Sequence, residues 1–103
     1  MTPRPWKPDV ELDAALDRGE LRFAITLAEE LRHERGKPVD LDTAARFLPL
    51  IARESPGEYE LWALRWLSRW LAESPTPTIE RAVEVAASLA ELPGEPGAVL
   101  RLR

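Results

Sequence analysis

Prolines and glycines divide this chain into short segments, and within each segment apolar residues recur at helical spacing. The 103 residues include 10 prolines and 5 glycines. Proline removes a backbone donor and glycine adopts the left-handed conformation that ends a helix, so both residues mark boundaries. Strand signals are nearly absent, because the β-branched residues are scattered through helical patterns. The sequence therefore predicts an all-α fold, a compact antiparallel bundle of four to five helices or stacked helical hairpins, with the fourth helix at its centre.

The same boundaries predict the domain organisation. Residues 1–9 are rich in proline and are predicted to form an extended arm. Residues 10–92 are predicted to form a single helical domain, since a chain of this length has room for one core. Residues 93–103 begin with a Pro-Gly pair and are predicted to form an irregular tail.

Capping residues predict where the helices begin. The predicted helices cover 10–18, 20–35, 41–54, 56–73 and 77–92. Four polar residues precede them as predicted N-caps: Asp9, Asp40, Ser55 and Thr76. Pro49 lies inside the third helix, where the lost hydrogen bond predicts a kink.

Composition excludes several classes of protein. The hydrophobic fraction of 45% and the charged fraction of 31% are typical of a globular domain. A net charge of -4 provides no general attraction for nucleic acid or an anionic membrane. The absence of cysteine excludes disulfides, thiolate metal sites and cysteine nucleophiles. The N-terminus lacks the apolar run of a signal peptide, and no apolar stretch is long enough to span a bilayer, which predicts a cytoplasmic protein. The excess of arginine over lysine is typical of a GC-rich bacterial genome.

The residues that usually carry chemistry do not cluster. The single histidine, His33, falls on the polar face of the second helix, one turn after Glu29. No third side chain nearby could complete a metal site with these two, and no nucleophile lies near His33. The carboxylates are spread over polar faces, and the glycines are isolated rather than gathered into a phosphate-binding loop. We therefore expect no catalytic residues, no cofactor and no metal site, and we predict that the protein is not an enzyme.

Two segments share a local pattern. "ELRFAITLAEEL" at 20–31 aligns with "TIERAVEVAASL" at 78–89, matching Ala24 with Ala82, Ala28 with Ala86 and Leu31 with Leu89. The stretch "GELRFAI" resembles the second helix of a tetratricopeptide repeat. The resemblance covers these two helices only and implies helical hairpins stacked side by side, with a concave groove that binds a peptide.

The stretch "WALRWLSRW" at 62–70 contains most of the tryptophan in the chain. Trp62, Trp66 and Trp70 stand at spacing four, with Arg65 and Arg69 between them. At about 100° per residue, Trp66 and Trp70 point towards the interior, whereas Trp62 lies at the rim beside the two arginines. A packed core is therefore favoured over a dedicated aromatic binding site.

Leucines widen the apolar arc of this fourth helix. They lie on the sector next to the tryptophans: Leu61, Leu64, Leu67 and Leu71. The combined arc covers roughly 220°, which predicts a helix surrounded on most sides. If five helices leave part of so broad an arc uncovered, a second copy of the chain could bury it, which predicts a homodimer.

The predicted function is that of a non-enzymatic protein-interaction or scaffolding module, which self-associates or binds a partner helix. The candidate partner surface consists of Trp62, Arg65, Arg69 and Trp6. Trp6 lies in "PRPWKP", which has the composition of a polyproline ligand, although folding back over an exposed part of the core is favoured for so small a domain. The alternative is a small regulatory protein that contacts nucleic acid through Arg65 and Arg69. Small-molecule binding among the aromatics is a weaker alternative.

Overall fold

The computed structural model describes residues 8–102, and all regular structure in that range is helical. The elements are α1 (Pro8–Arg18), α2 (Leu21–Arg35), α3 (Leu41–Glu54), α4 (Pro56–Glu73), α5 (Ile79–Glu91) and a C-terminal 3-10 helix (Pro96–Leu102). The predicted all-α class is confirmed. The chain divides into two compact units, an N-terminal unit (Met1–Val39) and a C-terminal unit (Asp40–Arg103).

The N-terminal unit is a hairpin in which α1 packs against α2. Gly19 has a φ of 73°, a left-handed conformation that lets the chain reverse within two residues. The guanidinium of Arg35, at the end of α2, lies 3.3 Å from the carboxylate of Asp9, at the start of α1, so the two helices run antiparallel. The two helices bury seven apolar residues: Leu12, Ala15, Leu16, Leu21, Ala24, Leu27 and Leu31.

The first helix begins earlier than the sequence predicts. It starts at Pro8, so Asp9 lies inside the first turn and is not the N-cap. Proline suits the first helical position because its missing N–H would have no partner there in any case. The Asp9 carboxylate accepts the N–H of Val10 at 3.0 Å, and this bond and Arg35 lower the pKa of Asp9.

The C-terminal unit is built around contacts of α4 with both α3 and α5. The C-terminal 3-10 helix packs against α5 and α3. The buried apolar residues come from every element: Ala45, Phe47, Leu48, Leu50, Ile51, Tyr59, Ala63, Trp66, Val85, Leu89, Leu92, Ala98 and Leu102. Because α4 meets two other helices here, its orientation determines which of its faces remains exposed.

Two helices of this unit begin at side-chain caps. The carboxylate of Asp40 accepts the N–H of Thr43 at 2.7 Å, as the sequence predicts. The cap of α5 is Thr78 and not Thr76, since the Thr78 hydroxyl accepts the N–H of Arg81 at 3.1 Å. A cap bonds an N–H two or three residues further on, and only Thr78 directly precedes the first helical residue.

The junction between α3 and α4 is tight. Ser55 occupies the predicted N-cap position, but its hydroxyl makes no cap bond; its carbonyl accepts the N–H of Glu58 at 2.9 Å instead. Its own N–H donates to the carbonyl of Ile51 at 2.8 Å, so the same residue ends α3. Pro49 lies within α3, which continues on both sides of it and is not split.

The tail is more regular than the sequence predicts. Residues 93–103 were expected to be irregular, whereas Pro96–Leu102 forms a 3-10 helix. Ala98 and Leu102 are buried there, and Arg81 donates to the carbonyl of Arg101 at 3.1 Å. This order depends on contacts with distant residues, which the local Pro-Gly signals do not reveal.

Candidate interaction surface on the fourth helix

One face of α4, which we call the inner face, holds the C-terminal unit together. It consists of Tyr59, Ala63 and Trp66, all of them buried. Trp66 is only 5% exposed, and its indole Nε1 donates to the carbonyl of Leu41 at 2.9 Å. Because Leu41 is the first residue of α3, this bond fixes α4 against the start of that helix.

Tyr59 makes the equivalent connection to α5. Its hydroxyl donates to the carbonyl of Leu89 at 2.5 Å. Leu89 lies in the last turn of α5, where carbonyls have no partner within the helix. The hydrogen bond therefore satisfies a buried acceptor, and burial raises the pKa of Tyr59 to about 12.

The raised pKa predicts a loss of stability at high pH. An unfolded tyrosine ionises near pH 10, whereas Tyr59 keeps its proton in the folded protein up to about pH 12. The contribution of protonated Tyr59 to the free energy of unfolding is therefore complete below pH 10. It is lost as the pH rises towards 12, by at most about 1.4 kcal/mol per pH unit. Tyr59 is the only tyrosine in the chain, so tyrosinate absorbance measures its pKa directly. The Tyr59→Phe variant should lack this part of the decline, and a titration midpoint near 10 in the folded protein would contradict the prediction.

The opposite side of α4, which we call the outer face, is apolar and exposed. Leu61 is 53% exposed, Leu64 is 57% exposed and Leu71 is 44% exposed. At 100° per residue these leucines centre about 150° from the inner face. The sequence predicts other helices around most of α4, but these three leucines are exposed.

The three tryptophans of "WALRWLSRW" divide differently from the prediction. Trp66 is buried, as expected. Trp70 is half-buried and so resembles Trp62, although it was expected to point towards the interior. Trp70 lies in the last turn of α4. Trp62 keeps its predicted position at the rim.

The two candidate arginines differ in their surroundings. Arg65 is exposed. Arg69 is half-buried, and its Nε donates to the Glu73 carboxylate at 2.8 Å, the pairing that their spacing of four favours. The pKa of Asp40 is lowered mainly by the Thr43 N–H and in part by the charge of Arg69. Arg69 thus interacts within its own unit, which leaves Arg65 as the more accessible cation.

The remaining predicted features are placed as follows. Trp6 lies outside the described residues. His33 is exposed on α2. In residues 8–102, no three histidine or carboxylate side chains come together in a group that could hold a metal ion. Over the same range, no helix is long and apolar enough to cross a membrane.

Neither the family models, nor the curated proteins, nor the solved structures yield a match to the chain. What α4 can bind is therefore inferred from its own geometry.

The outer leucines were predicted to lie in the core, or against a second copy of the chain where the arc stays uncovered. Leu61, Leu64 and Leu71 were counted as one arc with the tryptophans, because a helical projection does not show where one buried face ends and another begins. Their spacing of three and then seven residues was the available signal, since it is typical of a seam between two helices.

Proposed function

We propose that this protein is a non-enzymatic, cytoplasmic protein-interaction module that binds an amphipathic helix on the outer face of α4. The observation that supports the proposal most strongly is the exposure of Leu61, Leu64 and Leu71 on a single stripe. A single exposed leucine is normal on a protein surface, whereas an apolar stripe with a polar rim is typical of an interaction site.

The stripe has the spacing that helical partners use. A helix that packs along another contacts residues three, four and seven positions apart. Gly57 and Ser68 continue the same stripe, and both are small and exposed, so a partner backbone could approach closely there. Arg65 and Glu60 flank the stripe on opposite sides and could select the charge pattern of the partner.

The other candidate functions have less support. Binding of nucleic acid through Arg65 and Arg69 would draw on an arginine that already pairs with Glu73. Exposed Glu58 and Glu60 lie on the same helix and would repel phosphate. For a small molecule, one of the three tryptophans of α4, Trp66, is already buried and hydrogen-bonded within the fold.

Capture by the tagged 103-residue chain tests the proposal. Nuclease-treated lysate is passed over the wild type, over Leu64→Glu, and over Ile79→Glu as a matched control. Ile79 is also an exposed apolar helical residue, but it lies on α5. Each captured protein, including a second copy of this chain, is then identified, purified and titrated against the three variants.

We expect at least one identified protein to bind the wild type and Ile79→Glu equally. Its affinity for Leu64→Glu should fall by about tenfold or more, because a buried leucine would be replaced by a charge. Equal binding to Leu64→Glu and to the wild type would contradict the proposal.

A further inference from the structure

We infer that the helix bound on the outer face is α4 of a second copy of this chain, aligned in parallel with the first. The inference rests on the proposed function, since it identifies the occupant of the same surface. Three features of α4 support it: the spacing of the exposed residues, the charges beside them and the register that satisfies both.

The spacing is that of a coiled-coil seam. The exposed stripe consists of Gly57, Leu61, Leu64, Ser68 and Leu71. Successive members are four, three, four and three residues apart. This alternation is the spacing of the two core positions in the heptads of a coiled coil. This seam lies opposite the inner face, so α4 could pair along it while it keeps its contacts with α3 and α5.

The charges beside the seam are complementary between two parallel copies. Glu60 precedes Leu61 on one flank, and Arg65 follows Leu64 on the other. In a parallel coiled coil, the residue that directly precedes the first core position of a heptad lies near a residue of the other helix. That second residue has a sequence number higher by five. Glu60 of each copy would therefore meet Arg65 of the other. Both side chains are exposed, and neither forms an ion pair with another residue in the range 8–102.

The parallel register is also the one that uses every leucine. It places Leu61, Leu64 and Leu71 each against its own counterpart. An antiparallel register that aligns Leu61 with Leu71 brings Arg65 against Arg65. The antiparallel register that aligns Leu61 with Leu64 instead leaves Leu71 opposite position 54, beyond the start of α4. Only the parallel arrangement pairs all the leucines and the opposite charges together.

The seam is short, so the association should be weak. Fifteen residues, 57–71, span about 22 Å of helix. An interface of that length falls at or below the lower end of the sizes seen in stable complexes, which predicts a dissociation constant in the micromolar range or weaker. The test must therefore be made at high protein concentration.

Single cysteine variants provide the test, because the chain contains no cysteine of its own. Ser68→Cys places a thiol in the seam without removing a leucine, and Glu34→Cys places one on an exposed position of α2 as the control. Purified variants are oxidised in air at high micromolar concentration and the disulfide-linked dimer is followed over time. We expect Ser68→Cys to cross-link about tenfold faster or more than Glu34→Cys, because the seam holds the two thiols together. Adding Leu64→Glu should abolish the difference.

Charge reversal tests the orientation. In the Ser68→Cys background, Glu60→Arg or Arg65→Glu alone should slow cross-linking, and the two together should restore it. If Ser68→Cys cross-links no faster than Glu34→Cys, the second copy is not the occupant. The Leu61→Cys and Leu64→Cys variants are also mixed, and formation of the disulfide between the two different variants is followed. If this disulfide forms faster than the Ser68→Cys homodimer, the pairing is antiparallel and the inference is overturned.

The two proposals fail separately. If another protein binds the wild type but not Leu64→Glu while Ser68→Cys does not cross-link, this inference falls and the proposed function remains. If cross-linking is absent and no captured protein is sensitive to Leu64→Glu, both fall.

Discussion

Replacing Trp66 with alanine is expected to lower the free energy of unfolding of the C-terminal unit by about 3–5 kcal/mol. Trp66 is the largest buried side chain of the inner face, and only 5% of it is exposed. The substitution also removes the indole N–H that donates to the carbonyl of Leu41. Because small domains are stable by only about 5–15 kcal/mol, this single change should leave the unit close to unfolding.

Chemical denaturation followed by helical circular dichroism measures the effect, and two variants separate its causes. Trp66→Phe retains most of the apolar volume but loses the hydrogen bond, so it should lower the free energy of unfolding by about 1–2 kcal/mol. Trp62→Ala removes a half-buried tryptophan from the same helix and should cost clearly less than Trp66→Ala. Equal losses for the alanine variants at 62 and 66 would show that the inner face is wrongly identified.

Leu48→Ala is expected to lower the free energy of unfolding by about 2–5 kcal/mol, whereas Leu64→Ala should change it by no more than about 0.5 kcal/mol. The same chemical change is made at both sites, each within a helix. Leu48 is only 1% exposed in α3, and Leu64 is 57% exposed in α4. The difference between the two variants therefore measures burial within the chain.

Denaturation should be performed at low micromolar concentration, so that association between copies does not contribute. A loss for Leu64→Ala that approaches the loss for Leu48→Ala would show that the outer face is buried within a single chain. That result would remove the basis for a docking surface on α4.

Helix boundaries could be predicted where local chemistry determines them. The bounds of α3 were predicted correctly because Asp40 provides a side-chain cap, and α4 begins where Pro56 provides a first helical residue. Local signals misplaced the start of α5, since Thr76 and Thr78 are both acceptable caps by sequence and only the path of the chain distinguishes them. The C-terminal 3-10 helix could not be predicted, because its order comes from contacts with α5 and α3.

The candidate surface was predictable in part. The direction of Trp66 followed from helical geometry, but the half-burial of Trp70 depends on where its neighbours end. The exposure of Leu61 and Leu64 could not be deduced from hydropathy, since an apolar residue has the same hydropathy whether its own chain or another molecule covers it. The heptad spacing was visible in the sequence, but its meaning required knowledge of which face α3 and α5 occupy.

Sedimentation equilibrium of the purified 103-residue chain, over a range from micromolar to millimolar concentration, tests whether the outer face of α4 pairs two copies. We expect the average mass of the wild type and of Ile79→Glu to rise from one chain towards two as concentration increases. Leu64→Glu should keep the mass of a single chain throughout. A wild type that keeps the mass of one chain up to millimolar concentration, or a Leu64→Glu variant that associates as the wild type does, would contradict it.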